Sequence, residues 1–378
     1  MPTTARSAFR TEWRPLVGLA GDAALRTEWD ALAERAVEPN VFYTPAVALA
    51  CAPLYGHGVG AVLVRDAGGR LAGLFPLRAS RTRWGVPIPV LIGWTHPFAP
   101  LGTPLVDPAD PQGVVAATLD HLARKSATTL LLPYLADNGP VAVALGAVLI
   151  ASGRRMAIFD RHARAELVRP ASPDAGPAVV DPRRKEHARQ RRRLAERGTL
   201  TFDLTAGEAT VAALADFLDL EASGWKGTAG TAAIASPAQR ALIETAVAGL
   251  AAEGHASIAR LRLDGRTVAA GIVLASGGGT WFWKTAYDET LAKFSPGVLL
   301  ALDLSDALLR DARITVVDSC AVAGHPMIDR LWADRRVLSD RLIALRPGGA
   351  GFTLAYRLEG LRRAAIATAK AARDRLRR

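Results

Sequence analysis

The stretch Arg65-Asp66-Ala67-Gly68-Gly69-Arg70-Leu71-Ala72-Gly73 returns, lightly changed, as Leu263-Asp264-Gly265-Arg266-Thr267-Val268-Ala269-Ala270-Gly271. Each copy reads as a β-hairpin, an apolar run on either side of an Asp/Gly turn. In each half of the chain, loop, helix, strand, helix and strand follow the hairpin. Two copies of one element order leave few choices, and an internal duplication is the economical explanation. A length of 378 residues also suits two domains. The expected fold is α/β, of the mixed-sheet α+β kind. It consists of tandem lobes, each a largely antiparallel twisted sheet flanked by helices, with boundaries at 1–170 and 171–346 and a basic helical tail at 347–378.

Periodicity fills in the elements. Leu25, Trp29 and Leu32 predict a helix over 25–35. The first hairpin pairs 61–64 with 71–77, and 84–104 reads as a long loop holding a strand at 90–92. Helices at 111–126 and 141–152 alternate with strands at 128–132 and 156–160. Residues 166–180, with three prolines, read as the crossover. The second half reads as helix 183–197, strand 200–204, helices 211–221 and 237–253, a hairpin of 257–263 and 267–275, and a strand at 280–286. Helix 296–310, strand 314–318, helix 325–335 and strand 337–345 complete it.

One junction in that half has the chemistry of a site. The aromatic, β-branched strand at 280–286 leads through Tyr287, Asp288 and Glu289 to Phe294-Ser295-Pro296-Gly297-Val298. Ser295 suits an N-cap and Pro296 the first helical position. The free N–H groups of such a helix start attract anions, phosphates above all. The alternative is an ordinary strand–loop–helix connection, but the polar cluster of Lys284, Tyr287, Asp288, Glu289 and Lys293 favours a site.

The net charge of +11 is not spread evenly. Residues 183–197 carry eight Lys/Arg and two Glu, and residues 357–378 carry eight Lys/Arg against Glu359 and Asp374. Each segment is therefore +6, and the rest of the chain is close to neutral. Phosphates of RNA, a nucleotide-sugar or an anionic membrane surface would meet the 183–197 helix first. A solvated helix at the domain boundary is the plainer reading. No aromatic residue interrupts it, which leaves base stacking unsupported. In the tail, Leu354, Leu358, Leu361 and Ile366 form a partial apolar stripe, suited either to a membrane surface or to docking on the body. Two cysteines, Cys51 and Cys320, are too few for a disulfide framework or a zinc site. With no visible signal peptide or spanning segment, a reduced cytoplasm is expected, with the inner membrane face as a peripheral option.

Several short motifs recur in a familiar order: Glu221-Ala-Ser-Gly-Trp-Lys-Gly227, Trp283-Lys-Thr-Ala-Tyr-Asp-Glu289, Phe294-Ser-Pro-Gly-Val-Leu-Leu300, Asp318-Ser-Cys-Ala321 and His325-Pro-Met-Ile-Asp-Arg-Leu-Trp332. Together they resemble the GNAT acyltransferases, in the doubled arrangement of Fem-type enzymes, and more closely the CelD-like acetyltransferases of cellulose biosynthesis. The resemblance covers roughly 181–345 and reaches the first lobe mainly by pattern. It implies an acyl-CoA co-substrate, acetyl-CoA for instance, between splayed strands 280–286 and 314–318. Its pyrophosphate would rest on the helix start formed by Lys293, Phe294, Ser295, Gly297 and Val298. No tightly held cofactor and no metal site is implied.

The sequence departs from the GNAT pattern in two places. The phosphate loop keeps one basic residue and one glycine with shifted spacing, and no tyrosine lies between Asp318 and Leu345 to protonate a leaving thiolate. His325 or Cys320 are the residues available there. Asp288, Glu289, Asp318 and His325 are the candidate catalytic residues. Each has a plainer reading: a solvated turn or cap for the first two, a salt bridge to Lys284 or Arg335 for Asp318, a helix-start histidine for His325. Trp225, Lys226, Trp283, Lys284 and Tyr287 are candidates for holding a small-molecule or saccharide acceptor. The leading function is transfer of an acyl group from acyl-CoA to an amine or hydroxyl, in envelope polysaccharide metabolism. An aminoacyl-tRNA donor, as in Fem-type enzymes, and a non-catalytic binding subunit are the alternatives.

Overall fold

The structure is a computed structural model and describes residues 9–376 apart from 173, 175, 224–235 and 349. Trp225 and Lys226 therefore lie outside the described residues. The first half begins with a strand, β1 (Arg10–Pro15), and two helices, α1 (Ala23–Arg35) and α2 (Pro45–Tyr55). The hairpin follows as β2 (Val59–Arg65) and β3 (Leu71–Ser80), then β4 (Val90–Gly93) and the short β5 (Leu105–Val106). Helix α3 (Pro111–Ala123), β6 (Thr129–Ala136), α4 (Pro140–Ser152) and β7 (Met156–Val168) close that half. The second half runs α5 (Arg184–Ala195), β8 (Leu200–Ala206), α6 (Ala209–Ser223), α7 (Pro237–Ala252), β9 (Ala256–Leu263), β10 (Arg266–Ser276) and β11 (Gly279–Tyr287). It ends with α8 (Pro296–Arg310), β12 (Val316–Asp318), α9 (Ile328–Leu331), β13 (Asp334–Ala344) and the long α10 (Ala350–Leu376).

Most elements fall where periodicity predicts them. β1, β5 and the run of β7 to Val168, into the expected crossover, do not, and two further departures have local reasons. Helix α2 is nearly all apolar and so has no stripe to read, although Thr44 caps Val47 N–H and Pro45 stands at its start. The 325–335 helix shrinks to α9, because Asp334 and Arg335 already pair with Glu166 and Ala165 of β7.

The mixed sheet is continuous across both halves, in the order β1-β2-β3-β4-β6-β13-β7-β12-β11-β10-β9-β8, with β5 attached to β3. The two halves exchange their last strands. β13, from the end of the second half, runs antiparallel between β6 and β7. β7, from the end of the first, runs antiparallel to β12. Each half is thus completed by the other, and three core clusters span helices and sheet on either side of the exchange.

Candidate active site

Parallel pairing stops early in each half. β11 and β12 pair only at Thr280–Val317 and Trp281–Asp318, while β4 and β6 pair from Val90–Thr129 to Ile92–Leu131. Beyond both partings lies a cavity of about 860 Å³, to which both halves contribute. On β11 the pairing with β10 slips between Ile272 and Val273, leaving Trp283 as an extra residue. Such a bulge re-aims side chains and frees backbone from the ladder. It falls where β12 ends, and it turns Trp283 and Lys284 into the cavity wall.

The first half supplies the opposite wall through the 94–102 loop. The Lys284 ammonium lies 4.4 Å from the Phe98 ring centre and 5.6 Å from that of Trp283, and Phe98 meets Trp283 edge to face at 6.2 Å. His96 stacks on Tyr55 at 4.3 Å. Its Nδ1 accepts from Phe98 N–H at 3.3 Å, which puts the ring proton on Nε2, an atom with no hydrogen-bond partner among the described residues. Burial pulls the imidazole down to about 4, so at neutral pH it is an uncharged donor. Gly102 lets the loop close, since a Cβ there would sit 2.0 Å from the Pro133 carbonyl oxygen.

Tyr134 follows Pro133 at a left-handed φ of 51°, an uncommon state for a bulky residue. Its N–H donates to Asp340 Oδ1 at 3.0 Å and its ring stands edge-on to His162 at 5.5 Å. Burial raises the phenol, with the Asp340 and Asp160 charges adding to it. Cys320 also faces the cavity, and burial, reinforced by Asp318, pushes its thiol up and disfavours the thiolate nucleophile.

Asp318 is 1% exposed. Arg164 of β7 holds it at 2.5 Å and Arg336 of β13 at 3.5 Å, while it accepts from Cys320 N–H at 2.9 Å. Its ion-pair partners are these two arginines of the exchanged strands, in place of Lys284 or Arg335. Asp288 is likewise committed. It pairs with Arg266 across the hairpin and accepts from Thr290 N–H at 2.9 Å. Glu289 is exposed on the same turn. His325 Nδ1 accepts from Met327 N–H at 3.4 Å, at the start of α9.

The start of α8 forms a second region. Ser295 adopts φ 52° and its hydroxyl caps nothing; its carbonyl instead accepts from the N–H groups of Val298 and Leu299. The N-cap expected of Ser295 is thus a backbone one, because a left-handed residue aims its side chain away from the first turn. Gly297 is buried, with the Tyr287 ring 3.3 Å from where a Cβ would be. Helix α5 packs onto this corner: the Phe294 ring lies 5.3 Å from the Arg197 guanidinium and 5.1 Å from the Lys293 ammonium. Arg191 reaches Asp303 of α8 at 2.5 Å. The basic helix and the helix start, separate features of the sequence, form one cationic corner at the outer end of β11.

A bulged strand thus parts from its parallel neighbour and leads to a helix start in basic surroundings. Residues 182–324 match the acetyltransferase (GNAT) domain. That match lies within the second half of the chain, and no curated protein matches the sequence. The fold is that of the FemX crystal structure, at TM-score 0.55 and 11% identity, over 83% of this chain and 95% of that one. It is also that of the C-terminal domain of a putative lysylphosphatidylglycerol synthetase from Agrobacterium fabrum, at 0.54 and 12%, over 90% and 96%. A conserved protein of unknown function from Bacteroides thetaiotaomicron aligns at 0.54 and 12%, over 85% and 97%.

The residues that match the acetyltransferase domain include Trp283 and Lys284 at the cavity and the Lys293–Val298 corner. Thr95, His96, Tyr134, His162 and Arg164, none of them a candidate from sequence, come from the first half. For Thr95 and His96 the signal is the aromatic and proline-rich 84–104 loop, which announces no partner some 190 residues further on, and Tyr134, His162 and Arg164 carry no local signal.

Proposed function

We propose that the protein transfers an acyl group from acyl-CoA, acetyl-CoA being the simplest, to an amine or hydroxyl acceptor held in the central cavity. The observation that carries this reading is the parting of β11 from β12 at the Trp283 bulge, between the cavity and the cationic α8 corner. The pantetheine arm would run along the parting and the phosphates would meet Lys293, Arg197 and the Gly297 N–H, the one at the α8 start not taken by the Ser295 carbonyl. The thioester would then reach the bulge, where unpaired backbone N–H stabilises the oxyanion as the acceptor attacks. As the acceptor's bond to the acyl carbon forms and the thioester C–S bond breaks, Tyr134, the phenol on the cavity wall, protonates the departing thiolate and takes the acceptor's proton in return. Isothermal calorimetry with acetyl-CoA and longer acyl-CoAs tests it. Saturable binding supports the reading, and none at millimolar concentration ends it.

A second reading keeps the fold and takes aminoacyl-tRNA as donor, as the Fem-type resemblance implies. The placement of α5 beside the α8 start favours it, since eight basic residues in 183–197 exceed what one CoA requires. It predicts tRNA binding that falls steeply with salt and is lost when those residues are neutralised.

A further inference from the structure

Helix α10 leaves the protein at the rim of the central cavity. Its first turns dock: Phe352 and Ala355 are buried against β4, β6 and β13. Glu359 is fully buried and accepts from Arg83 and from the Trp84 indole, each at 2.8 Å. Burial opposes ionisation of that carboxyl, yet these partners hold it down to about 2. One turn on, Arg363 pairs with Glu359 at 2.7 Å, with Asp340 at 2.7 Å and with Asp160. Both aspartates line the cavity. From 364 to 373 every side chain is exposed, so the rest of the helix stands clear of the body.

The exposed part has two faces of different chemistry. Leu354 and Leu361 are 48% and 67% exposed and lie two turns apart on one face, which Ala365, Ala369 and Ala372 continue. Arg357 and Arg375 are exposed beside that face, and the sequence has no acidic residue between Glu359 and Asp374. The one acid at the root, Glu359, is spent on Arg83 and Arg363. Positive charge therefore prevails along the exposed stretch. Apolar side chains flanked by cations suit a surface that is both greasy and anionic. A nucleic acid would need the cations alone, and α5, with hardly any apolar residue, shows what that looks like. Among the described residues no helix is long and apolar enough to cross a membrane.

We propose that α10 docks on an anionic lipid bilayer by its Leu354–Leu361 face, and so tethers the body that holds the central cavity to the lipid surface. The root contacts of Arg363 make helix and cavity rim one rigid piece. The docking itself is independent of the donor and of the reaction.

The test is flotation of the full chain with vesicles of phosphatidylcholine alone and with about one third phosphatidylglycerol. Binding to the anionic vesicles, at least tenfold stronger than to neutral ones and weakened by salt, is the expected result. Leu354→Gln/Leu361→Gln and Arg357→Gln/Arg375→Gln should each reduce it at least tenfold. Melting should hold within a few degrees, because all four side chains are exposed. Failure of wild type to float with anionic vesicles overturns the proposal. So does binding that the leucine variant keeps in full, which would mark a purely electrostatic contact of the kind a nucleic acid makes. Self-association removed by the leucine variant, with no flotation, would assign the face to a second copy and also overturn it.

Discussion

Arg164 and Asp318 meet at 2.5 Å with side-chain exposures of 3% and 1%, and they come from strands of opposite halves. Cutting one partner out of a buried ion pair leaves a charge with no solvent and no counterion, which costs roughly 3–5 kcal/mol. Arg336, 3.5 Å away, shares Asp318 but keeps Glu38 at 3.0 Å. Asp318→Ala is therefore expected to lower stability by about that amount, read as an earlier denaturation midpoint. A variant that unfolds like wild type yet loses transfer would return Asp318 to a catalytic role.

Gly297→Glu tests the helix start. The Tyr287 ring stands 3.3 Å from where a Cβ at position 297 would fall. It must yield a few tenths of an ångström, so melting should fall slightly. That offsets the small gain, roughly 0.3–1 kcal/mol, that an acid brings to a first helical turn. Acetyl-CoA affinity should drop tenfold or more, about 1.4 kcal/mol. Unchanged affinity in calorimetry would remove the phosphates from this corner.

Lys284→Met keeps the length of the side chain and removes the charge over Phe98. A partly exposed cation–π contact is worth about 0.5–1 kcal/mol, so the fold should survive with little change. If Lys284 steadies negative charge in the cavity, acetyl-CoA turnover should fall by roughly one to two orders of magnitude at unchanged acetyl-CoA affinity. Equal turnover in wild type and variant would make Lys284 a packing residue.

His96 gives a pH signature. Its imidazole is held down to about 4 by burial, against about 6.5 in an unfolded chain. Between those values the unfolded chain binds the extra proton, so stability rises with pH there and is lost as pH falls from 6.5 through 4. One proton sets the slope at up to about 1.4 kcal/mol per pH unit. His96→Gln, which keeps a terminal N–H, should flatten that part of a stability-against-pH curve. Identical curves for the two proteins would show that His96 titrates normally.

The doubled element order was legible because hairpins declare themselves locally. Asp66-Ala67-Gly68-Gly69 and Asp264-Gly265 fix turns whatever the rest of the chain does. The helix start at Pro296 was legible for the same reason. What the sequence hid was long-range. Nothing in 334–344 says that its neighbours are β6 and β7, and nothing near Asp318 names Arg164, 154 positions earlier. The candidate carboxylates divide along that line: Asp288 takes a short-range cap and a hairpin ion pair, and Asp318 a partner from the other half. The cavity residues His96 and Tyr134 stayed invisible because each matters only through what β11 brings opposite it.

The exchange of β7 and β13 also sets an order of events during synthesis. When the first 180 residues have left the ribosome, β6 and β7 exist but the strand that separates them does not, and both present open edges. That vacancy lasts until residues 334–344 emerge, and only then does the sheet close along its middle. The N-terminal half made alone should accordingly be sticky and poorly folded, a strand edge waiting for a partner. Neither half can swing away from the other like a jaw either, since parting them would unzip the shared strands. Molecules reaching the cavity must enter past its loops while the two halves stay laced together.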